Sequence, residues 1–139
     1  MRQATHVLVV PTPGPALVPI TQPVARWTRQ HGIQAGLLTL WCRHTSASLL
    51  VQENADPDVL ADLQDWIARL APHDPASYRH GAEGADDMPA HLRAALTQTG
   101  LTIPVAGGSP LLGTWQGLYL WEHRDRPHRR EIALHLLGE

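Results

Sequence analysis

Short apolar runs and stretches of alternating apolar and polar residues recur along this 139-residue chain, and both patterns are typical of β-strands. The strands predicted in this way are residues 7–10, 33–42, 43–54, 101–105, 112–122 and 130–137. Prolines concentrated between residues 11 and 23 predict a loop after the first strand, with a brief extended piece at residues 16–18. Within residues 43–54 the alternation places His44, Ser46 and Ser48 together, which predicts a polar strand face.

Three stretches are predicted to be helices. The first covers residues 23–30 and ends near Gly32. The second begins at Asp56-Pro57, because Asp caps free N–H groups and Pro at the first helical position loses no needed donor, and it ends before Pro72. The residues that we expect this helix to direct toward the core are Leu60, Leu63, Trp66, Ile67 and Leu70.

The third helix begins at Asp87, after a polar loop of residues 73–87 whose length is typical of functional loops. It is predicted to turn Leu92, Ala95 and Leu96 inward and to end at Gly100. Strands follow one another in runs rather than alternating singly with helices. The pattern therefore predicts an α+β fold for residues 1–139: one domain with a largely antiparallel sheet or sandwich and about three helices.

Composition narrows the possible chemistry. Apolar residues make up 43% of the chain and the net charge is −2, which is typical of a globular domain and gives no reason to expect nucleic acid or a membrane as partner. All eleven basic residues are Arg, so lysine nucleophiles, Schiff bases and P-loops are excluded. The single Cys42 excludes an internal disulfide and a cysteine-rich zinc site, and it favours a cytoplasmic location.

Histidines supply the candidate metal ligands. His44, His80 and His91 could meet if the polar loop folds back on the third helix, and three imidazoles with an open fourth position suit a catalytic Zn²⁺. Asp87 and His91 are spaced i, i+4, an arrangement in which the carboxylate can orient the imidazole. The alternative interpretation is that Asp87 simply stabilises the N-terminus of its helix.

Two other kinds of site receive less support from the residues. His44 and Ser46 lie two positions apart, about 7 Å along a strand, which is too far for direct activation of the hydroxyl, and no G-x-S-x-G motif is present. A dense basic stretch, residues 124–130, suits phosphate recognition by Arg. Acidic residues lie within and beside it, so a solvated network of ion pairs is the alternative.

Three motifs occur in order along the chain: HTSASL-x-x-x-EN-x-DP, Y-x-H-x-x-EGADDMP-x-H and GTWQG-x-x-L-x-EHR. With them the sequence resembles the YjbQ family, also called secondary thiamine-phosphate synthases, over essentially its full length. The resemblance implies a single α+β domain with a β-sandwich core that assembles as a homotrimer. Some relatives carry Cys after the Asn of EN-x-DP, but Ala55 stands there in this chain.

The resemblance also implies an activity. A thiamine-phosphate synthase joins hydroxymethylpyrimidine diphosphate to a thiazole phosphate and releases pyrophosphate, so it must stabilise a leaving diphosphate with Arg or a divalent ion. We expect His44, His80 and His91 to hold a divalent metal, zinc or magnesium, or the leaving phosphate. Glu83 and Asp87 are the expected catalytic residues. The expected ligand-binding residues are Ser46, Asn54, Gln116, Glu122 and Arg130.

Two alternative functions stay open at this point. The first is a non-catalytic trimer that binds a small phosphorylated or anionic ligand. The second is a metal-dependent hydrolase that uses the same histidines. Turnover that releases pyrophosphate favours the synthase, whereas ligand-induced stabilisation without turnover favours the binding protein.

Overall fold

The computed structural model describes all residues from Met1 to Glu139. Eight strands and three α-helices form the fold. In chain order these elements are β1 (Arg2–Thr12), β2 (Ala16–Pro19), α1 (Thr21–Gln30), β3 (Ala35–Cys42), β4 (Ala47–Glu53), α2 (Pro57–Leu70), α3 (Asp87–Leu96), β5 (Gly100–Ala106), β6 (Ser109–Pro110), β7 (Gln116–Glu122) and β8 (His128–Gly138).

The strands form two antiparallel sheets that enclose one core. One sheet has the strand order β1-β8-β3-β5-β6 and the other has the order β2-β7-β4. Side chains from both sheets meet in a single buried cluster, to which β3 contributes Leu38 and Leu40 and β7 contributes Leu118 and Leu120. The predicted α+β class with a largely antiparallel sandwich core is confirmed.

Buried and more exposed residues alternate along β8, and this pattern shows how the larger sheet packs on the core. Ile132, Leu134 and Leu136 are buried, whereas the residues between them face away from the core. Gly36 on β3 faces β8 so closely that a Cβ at this position would lie 2.2 Å from the carbonyl oxygen of Leu137. Only glycine fits where these two backbones approach.

Helix α2 begins as predicted, with the Asp56 side chain accepting the N–H of Asp58 at 2.9 Å. The buried face of this helix is narrower than predicted, because Ile67 is its single buried residue. Trp66 is 44% exposed and Leu70 is also exposed, so the prediction that both lie in the core is wrong. Trp66 is next to Ile67 in sequence and therefore lies about 100° around the helix from the contact with the sheets.

Helix α3 starts at Asp87 as predicted but packs through a different face. Asp87, Ala90 and Arg93 are buried, whereas Leu96 is 61% exposed and Ala95 is also exposed. The predicted inward face was wrong because two charged residues point toward the protein, where they find polar partners. The helix ends at Leu96 rather than Gly100, since Gly100 already belongs to β5.

Several predicted strand bounds also change. The first strand runs from Arg2 to Thr12, and the strand predicted at residues 112–122 begins at Gln116. Residues 43–46 form a connection between β3 and β4 rather than part of a strand. The predicted common face of His44, Ser46 and Ser48 therefore does not form. No helix in the structure has the length and hydrophobicity that crossing a bilayer requires.

Candidate functional site

A cluster of two imidazoles and one carboxylate lies at the start of α3. Asp87 opens the helix and is buried, His91 follows one turn later, and His80 comes from the preceding loop. One oxygen, Asp87 Oδ2, lies 2.6 Å from His80 Nε2 and 3.1 Å from His91 Nε2. The three potential ligand atoms all lie within 4.8 Å of one another. The loop thus folds back on the helix as the sequence predicted.

Arg124 occupies the other oxygen of the same carboxylate. Its Nη1 lies 2.9 Å from Asp87 Oδ1, its Nε lies 2.8 Å from Asp86 Oδ2, and its Nη2 donates to the carbonyl of Glu83. These contacts tie the loop that carries the cluster to the β7–β8 connection. They also leave Oδ2 as the Asp87 oxygen that faces the imidazoles.

Both aspartates at this helix start are held in their charged form. Burial by itself raises the pKa of Asp86, but hydrogen bonds from Arg124 and from the N–H of Asp125 outweigh it and lower that pKa to about 2. Burial likewise raises the pKa of Asp87, and the hydrogen bond from His80 with the charges of His91 and Arg124 brings it below its ordinary value. Asp87 is therefore a carboxylate at neutral pH.

The tautomer of His91 follows from its second contact. His91 Nδ1 lies 2.9 Å from the carbonyl oxygen of Thr45, and because a carbonyl can only accept, Nδ1 carries the hydrogen. In a neutral imidazole Nε2 then presents a lone pair, which here faces the negatively charged Oδ2 of Asp87. Two acceptors in this position need a proton or a cation between them.

The donor set fits a transition metal. Two imidazole nitrogens and one carboxylate oxygen are the ligands of many catalytic zinc sites, and the Thr45 carbonyl supports His91 as outer partners of zinc-bound histidines do. Magnesium prefers oxygen ligands, so this set suits it less well. With metal bonds of about 2.0–2.1 Å, tetrahedral ligand atoms lie about 3.3 Å apart. The two imidazole nitrogens would therefore move slightly away from Asp87 Oδ2 when a metal binds.

His44 does not join this cluster. Its Nε2 accepts the backbone N–H of Glu131 at 2.7 Å, so the lone pair that a metal would need is already used. Burial, together with the charge of Arg130, lowers the pKa of His44, which keeps the ring neutral. Asp87 takes the third position that the sequence assigned to His44.

An open cleft of about 870 Å³ lies beside the cluster. Residues 41–46 form one wall, the side of α3 that carries His91 forms another, and Arg130 lies at its base. His91 belongs to both the cleft and the cluster, so the two adjoin at this side chain. His44, predicted as a metal ligand, and Ser46, predicted as a ligand-binding residue, both line the cleft.

Arg130 is held by a buried network. Its Nε and Nη2 donate to the Glu122 carboxylate at 2.6 and 3.0 Å, and Nη2 also donates to Ser46 Oγ at 3.0 Å. His128 Nδ1 lies 3.0 Å from the same carboxylate. Nη1 of Arg130 makes no hydrogen bond within the protein and is not sealed from solvent, so it is available to an anion in the cleft. Glu122 therefore positions Arg130 rather than facing a ligand itself.

Ser48 belongs to a second buried network, which sequence reasoning missed. Its Oγ lies 2.9 Å from His123 Nε2 and 2.6 Å from Thr97 Oγ1. Burial, reinforced by the charges of Arg93 and Arg130, lowers the pKa of His123 to about 3, so the ring is neutral. Because Ser48 is buried, its hydroxyl is not available to solvent as a nucleophile. Its hydrogen bond with Thr97 connects β4 to the end of α3.

The remaining predicted site residues lie elsewhere. Gln116 Oε1 accepts the N–H of Gly113 at 2.8 Å and closes a turn, and Asn54 is exposed at the same end of β4 and β7. This end is opposite to Glu122, which pairs with Ala47. Glu83 holds Arg124 through its backbone carbonyl. The sequence analysis did not identify the role of Arg124, because its partners Glu83, Asp86 and Asp87 are far from it in the sequence and meet it only in the fold.

The fold and the site define a small α+β protein with a His–Asp–His cluster at a helix start, beside a cleft with arginine at its base. The family model described as "UPF0047 protein YjbQ-like" matches residues 6–139. The UPF0047 protein sll1880 of Synechocystis sp. is 51% identical over 99% of this chain and 94% of its own. The chain belongs to the YjbQ family, as its motifs predicted.

Solved structures agree with this assignment. A conserved hypothetical protein, TT1486 from Thermus thermophilus, is 39% identical with a TM-score of 0.83, and the match covers 95% of this chain and 99% of that one. A YbjQ-like protein of unknown function from Sulfolobus solfataricus has a TM-score of 0.87 at 23% identity, covering 99% and 100% of the two chains. The second comparison shows a shared fold alone.

Proposed function

We propose that this protein is a metal-dependent transferase that acts on small phosphorylated substrates. In the reaction suggested by its family resemblance, hydroxymethylpyrimidine diphosphate is joined to a thiazole phosphate with release of pyrophosphate. The observation that carries the proposal is the position of His91, which lines the cleft above Arg130 and also belongs to the cluster with His80 and Asp87. Anion recognition and a metal-ligand set therefore meet at one side chain.

Each residue of the site has a separate role in this proposal. Nη1 of Arg130 binds a phosphate oxygen, and Arg43, which is half-exposed at the rim and ion-paired with Glu131, adds further N–H donors. The Nδ1–H of His44 remains a hydrogen-bond donor, because its Nε2 accepts from Glu131. A zinc ion held by His80, Asp87 and His91 would supply positive charge to the leaving diphosphate. Arg124 keeps Asp87 oriented for that role.

The test combines metal analysis with turnover. We expect the purified protein to bind about one zinc per chain and to form thiamine phosphate from the two substrates, with pyrophosphate released in equal amount. His80→Ala and Asp87→Asn should lose both the metal and turnover. Asp65→Asn is the matched control, since Asp65 is exposed on α2, outside the cluster and the cleft, and should change neither.

Unchanged metal content and turnover in both cluster variants would refute the proposal. Saturable stabilisation by pyrophosphate without turnover would instead identify a non-catalytic binding protein. Pyrophosphate release that does not depend on the thiazole phosphate would identify a hydrolase. Each outcome is read from the same protein samples by product analysis and thermal unfolding.

We also propose that the protein works as a homotrimer in the cytoplasm. The face of the larger sheet that points away from the core exposes Val7, Leu37, Trp41 and Leu137, an apolar surface of the kind that subunit contacts cover. Light scattering coupled to size-exclusion chromatography should give three times the chain mass of 15.3 kDa. A Trp41→Arg variant should elute as a smaller species, and a monomeric wild type would reject this assembly.

A further inference from the structure

A second, smaller cavity lies on the other side of α3 from the cleft. Its volume is about 360 Å³, within the range of small-ligand sites. Side chains from α2, α3 and the three connections β1–β2, α2–α3 and β7–β8 line it, including Gln64, His73, Arg93 and Asp125. Arg93 lies two residues after His91, about 200° around the helix, and the cavity and the cleft share no lining residue.

Arg93 is a buried cation with no carboxylate within 4 Å; burial lowers its pKa, although the negative charge of Asp125 acts on it to raise that pKa. It is 7% exposed, and its Nε and Nη2 both donate to one acceptor, the carbonyl of Ala71, at 3.2 and 2.8 Å. That carbonyl belongs to the residue after the end of α2, so Arg93 caps the helix. Its Nη1 has no partner in the chain and is not sealed from solvent, and the residue lines the cavity. A buried guanidinium in this state favours an anion.

A second unpartnered donor lines the same cavity. The indole Nε1–H of Trp121 donates to Gln64 Oε1 at 2.6 Å, which fixes the amide orientation. The Gln64 Nε2 group is therefore a donor, and it makes no hydrogen bond within the protein. The fixed amide and the buried guanidinium are independent features that favour the same kind of ligand.

The remaining polar groups of the cavity define the ligand further. Asp125 is the one carboxylate of the lining, is half-exposed, and lies 3.9 Å from His73 through Oδ2 and Nδ1. A hydrogen phosphate can donate its own O–H to such a carboxylate while its other oxygens accept from the donors. The positive charge of Arg93 also contributes, after burial, to the low pKa of the neighbouring His123.

We propose that this cavity binds a small oxyanion, the phosphate or carboxylate group of a metabolite, between Arg93 Nη1 and Gln64 Nε2. The inference is independent of the proposed transferase activity, because none of its residues belongs to the cleft or to the metal-ligand cluster. The site would act as a binding subsite on the far side of α3.

Trp121 provides a local reporter for the test. In the full-length protein labelled with ¹⁵N, the indole Nε1–H resonance of Trp121 should shift saturably as inorganic phosphate replaces chloride at constant ionic strength, since an anion on Gln64 polarises the amide that accepts this hydrogen. Acetate is titrated in the same way. Tighter binding of phosphate identifies a phosphate site, and tighter binding of acetate identifies a carboxylate site.

Variants separate this site from the cleft. Gln64→Glu retains the acceptor for Trp121 but replaces the donor with negative charge, so it should weaken anion binding about tenfold or more. Arg93→Met should do the same, and Arg93→Lys should recover part of the affinity. Arg43→Gln removes an arginine from the cleft and should leave the Trp121 titration unchanged. Absence of a saturable shift with both anions, or equal affinity in Gln64→Glu and wild type, would overturn the proposal.

Discussion

Replacing Glu122 with Gln tests how the arginine at the base of the cleft is held. Glu122 is fully buried and receives two hydrogen bonds from Arg130, which is 4% exposed. Glu122→Gln preserves the shape of the side chain but removes its charge and turns an N–H donor toward a guanidinium. Arg130 then keeps one hydrogen bond to the uncharged amide oxygen and its bonds to Ser46.

We expect Glu122→Gln to cause a large loss of stability, because the charge of Arg130 stays buried without its partner. Removing one partner of a buried ion pair costs about 3–5 kcal/mol, since desolvation of the other charge is no longer offset. The low exposure of both residues places this pair in that class. At roughly 3 °C of melting temperature per kcal/mol for a domain of this size, the midpoint should fall by about 10–15 °C.

Urea unfolding of three variants gives the measurement. The singles Glu122→Gln and Arg130→Met and their double are compared with wild type, and the coupling energy is taken from the cycle. We expect the double variant to be more stable than Glu122→Gln alone, because the unpaired charge is gone. A loss below about 1 kcal/mol in Glu122→Gln, or a double variant whose loss equals the sum of the singles, would refute the reasoning.

Three further predictions follow from other contacts. Because the pKa of His123 is lowered from 6.5 to about 3 on folding, its contribution to stability is complete above about pH 6.5 and declines as the pH falls toward 3. His123→Gln should remove this decline from the pH dependence of the unfolding free energy, measured by urea unfolding. An unchanged pH dependence in the variant would contradict the assignment. Asp56→Ala removes the cap on α2 and should cost about 0.5–2 kcal/mol in unfolding free energy, whereas Asp56→Asn should retain most of it. Gly36→Ala places a methyl group against the β8 backbone and should lower stability by about 1–3 kcal/mol or more in thermal unfolding; a neutral effect would show that the two strands can separate freely there.

Much of the fold could be predicted from local patterns. The start of α2 was correctly placed by Asp56-Pro57 because capping depends on adjacent residues. The core strands were recognised because apolar runs report burial directly. The face of α3 was predicted wrongly, since its inward residues include Asp87 and Arg93, and hydrophobicity does not show that a charged side chain has buried partners.

The candidate site was predicted in part for a similar reason. His80, Asp87 and His91 lie within one segment of the chain, so the loop and helix bring them together. Arg124, by contrast, approaches Asp87 from the connection between β7 and β8, and no spacing along the sequence indicates that contact. His44 was assigned to the metal on residue type, but the backbone N–H of Glu131 uses its lone pair.

The hydrogen bond from His91 to the Thr45 carbonyl would link binding of the proposed metal to binding of the proposed anion. A cation that draws His91 Nε2 toward the cluster strengthens the opposite Nδ1–H as a donor and holds the connection between β3 and β4 in place. An anion in the cleft that requires the same position of that connection would then bind more tightly to protein that holds the proposed metal. By reciprocity the anion would raise the affinity for the cation by an equal factor.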